Sequence, residues 1–223
     1  MSEADVTSRV SALCAKLGLP NDTAVLHILA EAAKAGIKGA RAARVPPHYY
    51  DCTLAERRAM ITAGGGGGVP HDDHLCKVVM FENTAWVQVN DPQTGAPLEE
   101  LDYRNPRFFM VLVQYSHKIQ TQELWKHMRN LGKSVNAPRQ ANTPRQAGEA
   151  DALRLSGQEF NGITPVGLKS AMPLLLCKSV TRLSPPYVWI GGADRDVKLG
   201  VPVEELIRCY GATVVEMSEK RDD

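Results

Sequence analysis

Long hydrophobic runs are missing from this 223-residue sequence. No stretch comes near the roughly 20 apolar residues that a helix needs to cross a bilayer. An excess charge of either sign is missing too: 26 Lys and Arg stand against 25 Asp and Glu. That excludes a global basic field, so any contact with nucleic acid has to come from local patches. Cysteine is sparse and unpatterned. The five residues, Cys14, Cys52, Cys76, Cys177 and Cys209, are odd in number and contain no CxxC pair. This argues against a zinc ribbon or a disulfide framework and for reduced thiols inside a cell. Residues 1–10 carry acids and no apolar stretch, so a signal peptide is not expected there. Cytoplasm is the expected location. No internal repeat is visible.

What is present suits one compact core with a small appendage, since 43% of the residues are hydrophobic and a chain of this length can bury a sizeable interior. Val6, Val10, Leu13 and Leu17 recur at helical spacing before Gly18, which predicts a first helix over 3–17. A second is expected over 22–35, capped by Asn21 or Asp22 and stopped by Gly36. Residues 37–52 contain Pro46-Pro47 and read as a connector. Thr53 with Glu56 three residues on forms a capping box for a short helix over 53–62. Five glycines in a row, 64–68, read as a flexible loop.

Strands are expected over 76–81, 85–90, 107–115, 174–180, 187–190 and 213–217, where β-branched and aromatic residues run between turn formers. A helix is expected over 121–131, with Leu124, Met128 and Leu131 on one face. Residues 136–150 read as an exposed loop. The last helix is expected over 202–210, with Glu204 and Glu205 at its positive end and Gly211 past its end. Strands and helices without regular alternation predict an α+β fold.

Three places offer chemistry. His71-Asp72-Asp73-His74-Leu75-Cys76-Lys77 has the residue types of a metal site, but no second ligand cluster exists to complete it, so no metal is expected. A Cys76–His74 nucleophile pair is geometrically conceivable, since residues two apart on a strand share a face, but no third orienting group is identifiable. Lys77 opens the apolar run Val78-Val79-Met80-Phe81. Asn161-Gly162-Ile163-Thr164-Pro165-Val166-Gly167 is a turn that can present backbone N–H groups to a carbonyl or oxyanion. Gly191-Gly192 followed by Asp196 makes another turn. Taken singly, each of these three is as well explained by a solvated strand end or an ordinary loop.

Taken in order, they resemble the YbaK/prolyl-tRNA-synthetase-associated family of aminoacyl-tRNA editing domains. The resemblance rests on Leu75-Cys76-Lys77-Val78-Val79-Met80, Gly162-Ile163-Thr164-Pro165-Val166-Gly167, Leu174-Leu175-Leu176, Tyr187-Val188-Trp189-Ile190-Gly191-Gly192 and Asp196-Val197-Lys198-Leu199. It covers residues 70–217. Arg44-Val45-Pro46-Pro47-His48-Tyr49-Tyr50-Asp51, with His74-Leu75-Cys76-Lys77 and Phe81-Glu82-Asn83-Thr84, is similar to a eukaryotic stand-alone branch. The resemblance implies a mixed β-sheet barrel flanked by helices over 64–217, with an N-terminal helical extension over 1–63 and a polar tail over 218–223.

It also implies a cofactor-free, metal-independent hydrolase that removes the amino acid from mischarged tRNA such as Ala-tRNA(Pro) or Cys-tRNA(Pro). The implied catalytic set is Lys77, Gly162, Thr164, Pro165 and Gly167. The implied substrate-binding set is Asn161, Ile163, Gly191, Gly192, Asp196 and His74. The expected partners are the tRNA acceptor end and an aminoacyl-tRNA synthetase, with neither a membrane nor DNA among them. Lys118, Lys126, Arg129 and Lys133, with Arg139 and Arg145 beyond them, form a basic run suited to acceptor-stem phosphates. Two features depart from the family pattern. Asn161 stands where many relatives have glycine, and the 191–196 turn is one residue shorter than in bacterial relatives. A binding module that keeps the fold without catalysis, docked on tRNA or a synthetase, is the alternative.

Overall fold

The structure is a computed structural model that describes residues 8–9, 12–16, 21–138 and 143–221. Residues 8–9 and 12–16 are helical. Val6, Val10 and Leu17 of the expected first helix lie outside the described residues. Helix α1, Thr23–Lys34, starts at Asp22, whose carboxylate accepts from the Ala24 and Val25 N–H groups and so satisfies two of the orphan donors of a first turn. Helix α2, Leu54–Ile61, carries the expected Thr53/Glu56 capping box.

The connector expected over 37–52 is instead structured. Strand β1, Arg41–Arg44, is followed by a 3-10 turn, Pro47–Asp51. Arg-Ala-Ala-Arg has little intrinsic strand preference. Its pairing with a later strand, β8 (Asp194–Pro202), holds it in place, a case of tertiary context overriding propensity. The glycine run also departs from a flexible loop. Thr62–Gly66 forms a π-turn, and a Cβ on Gly66 would meet the Trp189 ring at 2.5 Å. Glycine is needed there for close packing.

Strand β2, Cys76–Asn83, pairs antiparallel with β3, Phe108–Gln114. Every residue of β3 is buried, as a continuous apolar run predicts for a strand covered on both faces. Parallel strands β6, Leu174–Cys177, and β9, Thr213–Val215, extend the sheet beyond β3. A short β5, Pro144–Gln146, lies on the far edge. The order of this five-stranded sheet is β5-β2-β3-β6-β9. A second sheet has the order β1-β8-β7, with β7 at Tyr187–Gly192. β4, His117–Ile119, pairs with β10, Ser218–Lys220, so part of the expected polar tail is strand.

The barrel expectation is corrected. Among the described residues the strands form three separate sheets, and the two larger ones meet at a bridge between Leu75 and Trp189. Residues 85–90 form no strand either. Side chains hold that segment: Trp86 Nε1 donates to the Asn105 carbonyl at 2.7 Å, and Asn105 Nδ2 to that of Val87 at 3.0 Å. The 136–150 loop contains β5 and the start of α4, Glu149–Ser156. Helices α3, Thr121–Gly132, and α5, Val203–Tyr210, fall where expected. Gly211 closes α5 in the left-handed conformation. Among the described residues no helix is long and apolar enough to cross a membrane.

A satellite core of Ala43, Val45, Tyr49, Ile61 and Val69 packs on Leu75 and Trp189. It fixes the 3-10 turn and α2 against the junction of the two larger sheets. That placement matters for the site.

Candidate functional site

One edge of β2 belongs to β3 along its length. The other is shared by two partners. β5 covers only Phe81–Asn83, and β7 reaches it near Leu75. Between them Cys76–Met80 is left without a strand, and there a cavity of about 620 Å³ opens. All five of those residues line it, with Gln146, Glu149 and Leu153 from the β5–α4 region and Glu159, Phe160, Asn161 and Ile163 from the following loop. Gly191 of β7, Tyr115, Tyr50 of the 3-10 turn and Arg57 of α2 complete the wall.

Lys77 and the 161–163 loop are therefore brought together. Lys77 is half-buried, and its ammonium lies 5.9 Å from the Tyr115 ring centre. Burial, aided by the charge of Arg221, pushes its pKa below the usual lysine range. Among the described residues no carboxylate comes within ion-pair distance of Lys77 or of Arg57. Arg57 is held by its own surroundings. Its Nε donates to the Cys52 carbonyl at 3.0 Å and its Nη2 to that of Tyr50 at 2.6 Å. Its guanidinium lies 5.2–5.6 Å from the ring centres of Tyr115, Tyr49 and Tyr50, within cation–π range. Two positive groups thus face a partly enclosed space, where their attraction for an anion exceeds that in bulk water.

The loop is built for close approach. The Gly162 carbonyl accepts from Ala193 N–H at 2.8 Å, and the Gly162 N–H goes to Glu159 O at 2.9 Å. Thr164 is fully buried, and its N–H donates to Gln158 Oε1 at 2.8 Å. Gln158 Nε2 then reaches the Val166 carbonyl at 2.8 Å, so one buried glutamine ties both sides of the turn. Gly167, at φ 71°, packs against Glu31 of α1. Among the described residues, Gly162, Thr164, Pro165 and Gly167 do not line the cavity. Their hydrogen bonds shape the turn, and the cavity is touched by Asn161 and Ile163. Among the described residues no acceptor takes the Ile163 N–H.

The remaining predicted residues lie elsewhere. Gly192 packs on Val197, and Asp196 offers its carbonyl to Val45 N–H. His74 is buried between the carbonyls of His71 and Pro185, at 3.3 and 3.2 Å, beside a separate cavity of about 170 Å³. Cys76 Sγ points to the Asp73 carbonyl at 3.9 Å, not to His74, and burial pushes its thiol well up. That removes the thiolate which a Cys–His nucleophile needs. Among the described residues no group of three or more His, Cys, Asp or Glu side chains is placed to hold a metal.

In the basic run, Lys118 pairs with Glu219 at 2.8 Å and Lys126 with Glu123 at 3.3 Å, both exposed. Such pairs are weak and salt-screened. Lys133 donates to Asn130 at 2.9 Å, and Arg145 is held by Glu82 at 3.1 Å. Arg139 lies outside the described residues.

Sequence reasoning missed Tyr50, Arg57 and Lys198. The Tyr50 hydroxyl donates to the Asn161 carbonyl and accepts from Lys198 Nζ. Lys198 is only 4% exposed, and a lysine inside the apolar run Val197-Lys198-Leu199 was the available signal.

No protein-family model matches the chain, and no curated protein matches it. Solved structures do. A proposed trans-editing enzyme for prolyl tRNA synthetase is 17% identical with a TM-score of 0.61, over 89% of this chain and 98% of that one. A hypothetical protein is 17% identical with a TM-score of 0.57, over 86% and 99%. A scaffold used for computational epitope grafting is 13% identical with a TM-score of 0.59, over 90% and 99%. At these identities the likeness is one of fold: this chain has an α+β architecture like that of the proposed trans-editing enzyme.

Proposed function

We propose that the chain is an aminoacyl-tRNA deacylase that hydrolyses the ester of mischarged tRNA, with Ala-tRNA(Pro) and Cys-tRNA(Pro) as the first candidates. The observation that carries this reading is the shared cavity of Lys77, Arg57, Asn161, Ile163 and Gly191. An aminoacyl ester is already activated, so its hydrolysis needs a polarised carbonyl and a placed water rather than a strong nucleophile. Lys77 and Arg57 bind the anionic 3′ end of the tRNA as charge-assisted donors. The Ile163 N–H donates to the ester carbonyl oxygen. The exposed Phe160 ring at the cavity wall offers a face on which a base stacks. Glu149 and Glu159 supply carboxylates for the α-ammonium group. Water adds to the carbonyl carbon and the bond to the ribose oxygen breaks. The products are the free amino acid and a tRNA with its terminal hydroxyl restored. A small pocket acting after a synthetase removes errors that the synthetase site cannot exclude by size.

Arg129 and Lys133, with Lys118 and Lys126 once their exposed pairs exchange for phosphate, give the acceptor stem a salt-sensitive contact. The test is a deacylation screen against mischarged tRNAs, Ala-tRNA(Pro) and Cys-tRNA(Pro) included. Release of the amino acid above the spontaneous rate from at least one of them is expected. Binding of tRNA or of a synthetase with no release from any member would favour the non-catalytic module.

A further inference from the structure

Beneath the cavity wall lies a chain of three groups from distant parts of the sequence. Lys198 sits on β8 between β1 and β7. Its ammonium donates to the Arg195 carbonyl at 2.9 Å and to the Tyr50 hydroxyl. It also lies 5.0 Å from the Tyr49 ring centre and 4.4 Å from that of Tyr50. The Tyr50 hydroxyl donates in turn to the carbonyl of Asn161. Asn161 is a non-glycine residue at φ 67°, a conformation that asparagine tolerates at some cost and that neighbouring contacts have to maintain. The residue two further on, Ile163, is the one whose N–H has no acceptor among the described residues.

We infer that Tyr50 and Lys198 are positioning residues: their hydrogen-bond chain clamps the Asn161 carbonyl and so holds the cavity loop in shape, and loss of a proton from Lys198 undoes the clamp. The direction of the bonds carries the argument. An ammonium can only donate. While Lys198 is charged, the Tyr50 oxygen accepts from it, and the single hydroxyl hydrogen is left for Asn161. A neutral amine has a lone pair and is a stronger acceptor than an amide carbonyl. The hydroxyl hydrogen then turns to Nζ, and the half-buried Asn161 carbonyl loses its donor. With that support gone, the left-handed residue relaxes and carries the Ile163 N–H with it.

The groups facing Lys198 fit this behaviour. Tyr49 and Tyr50 come from the 3-10 turn, Arg57 from α2, and Asp194, Arg195 and Asp196 from β8 itself, with Arg44 of β1 bound to Asp194 at 3.5 Å. Burial brings the ammonium down to about 7, against the opposing pull of Asp196. Burial pushes both tyrosines up, away from neutrality. The proton that moves near neutral pH is therefore the lysine's.

This inference rests on the cavity being the functional site, but its test needs no substrate. Amide hydrogen exchange of the full chain is followed by mass spectrometry, corrected for intrinsic rates, at about pH 6 and about pH 8.5. The reporters are the amides of Glu159, Gly162 and Thr164, all internally bonded, with β3 as the control for global stability. In the parent, protection of residues 158–164 is expected to fall roughly tenfold from the lower pH to the higher, while β3, which reports global stability, shows no such fall. Tyr50→Phe is expected to exchange at the faster rate at both pH values, whereas Lys198→Met, which offers the Tyr50 hydroxyl no competing acceptor, is expected to keep the loop protected at both. Lys198→Arg, with a permanent charge, keeps the loop protected at both. Corrected protection that is flat with pH in the parent overturns the inference, and that measurement requires no variant to fold. Equal loop protection in Tyr50→Phe and the parent overturns it as well. Where a mischarged tRNA is cleaved, Tyr50→Phe lowers kcat with little change in KM. A chain that cleaves none fails the proposed reaction and leaves the exchange result standing.

Discussion

Gly191 and Gly162 approach so closely that a Cβ on Gly191 would sit 2.4 Å from the Gly162 carbonyl oxygen and 2.6 Å from that of Ile163. Both obstacles are backbone, so neither can swing aside as a side chain would. β7 and the cavity loop are packed main chain to main chain, and the Ala193–Gly162 hydrogen bond at 2.8 Å sits beside the contact.

Gly191→Ala is accordingly expected to cost about 2 kcal/mol or more, as overpacking against rigid backbone does. The loop has to move, so Ile163 is displaced and any hydrolysis falls with stability. Gly68→Ala is the control, because a Cβ there meets nothing within 4 Å, and it should stay within about 0.5 kcal/mol of the parent. Urea unfolding midpoints of the three proteins decide it. A Gly191→Ala midpoint equal to that of the parent would mean that the close approach is not maintained in solution.

Asn161 provides a second test of the same loop. At φ 67° glycine is comfortable, asparagine acceptable and a β-branched residue strained. Asn161→Gly is expected to leave stability within about 1 kcal/mol, whereas Asn161→Val should lose roughly 1–3 kcal/mol. Identical unfolding midpoints for the valine variant and the parent would show that residue 161 does not hold the left-handed conformation.

The difference between these glycines and the rest of the site shows what the sequence could reveal. Lys77, Asn161, Ile163 and Gly191 stand in short runs whose local chemistry is visible: a charge opening an apolar strand, a Gly/Pro turn, a double glycine. Thr53 with Glu56, and the spacing of Leu124, Met128 and Leu131, were legible for the same reason, since helix caps and faces are written within one or two turns. Tyr50 and Arg57 have no such signature, and Lys198 has only its place inside an apolar run. They meet because β1 pairs with β8, and that pairing was hidden. The turn-like Asp194, Asp196 and Gly200 disguised one strand, and Arg-Ala-Ala-Arg disguised the other. The glycine run 64–68 misled in the opposite direction, since composition alone does not separate a flexible glycine from one squeezed by Trp189.

Lys77→Ala distinguishes a substrate-binding lysine from a solvated strand end. The side chain is half-buried beside Tyr115 with no carboxylate partner among the described residues, so its truncation should change stability by no more than about 0.5–1 kcal/mol. Loss of one charge-assisted hydrogen bond to an anionic substrate should cost about 1.5–3 kcal/mol, or roughly ten- to a hundredfold in kcat/KM. Equal rates for variant and parent, on a substrate that the parent demonstrably cleaves, would remove Lys77 from the site. A fall in Tm that accounts for the whole loss of activity would make its role structural.

Lys198 predicts how stability depends on pH. Its pKa in the folded state is near 7, whereas an unfolded chain gives lysine about 10.4. Below about pH 7 both states hold the proton, so the cost of burying the charge is present in full. Between about pH 7 and 10 the unfolded state holds more protons than the folded state, and this group's contribution makes stability rise with pH. The sign is opposite to that of a lysine stabilised by an ion pair. It does not conflict with loosening of the cavity loop in the same range, because a local opening and the global free energy are separate quantities. Lys198→Met has no proton to lose. The stability of the parent minus that of Lys198→Met should therefore move in the parent's favour by on the order of 2–4 kcal/mol between about pH 6.5 and 9.5. Denaturant unfolding of both proteins at the two pH values measures the difference, in which titrations common to both cancel. A gap that does not change with pH would mean that Lys198 keeps an ordinary pKa, and that water reaches a site where the structure has packed Tyr49 and Tyr50 around it.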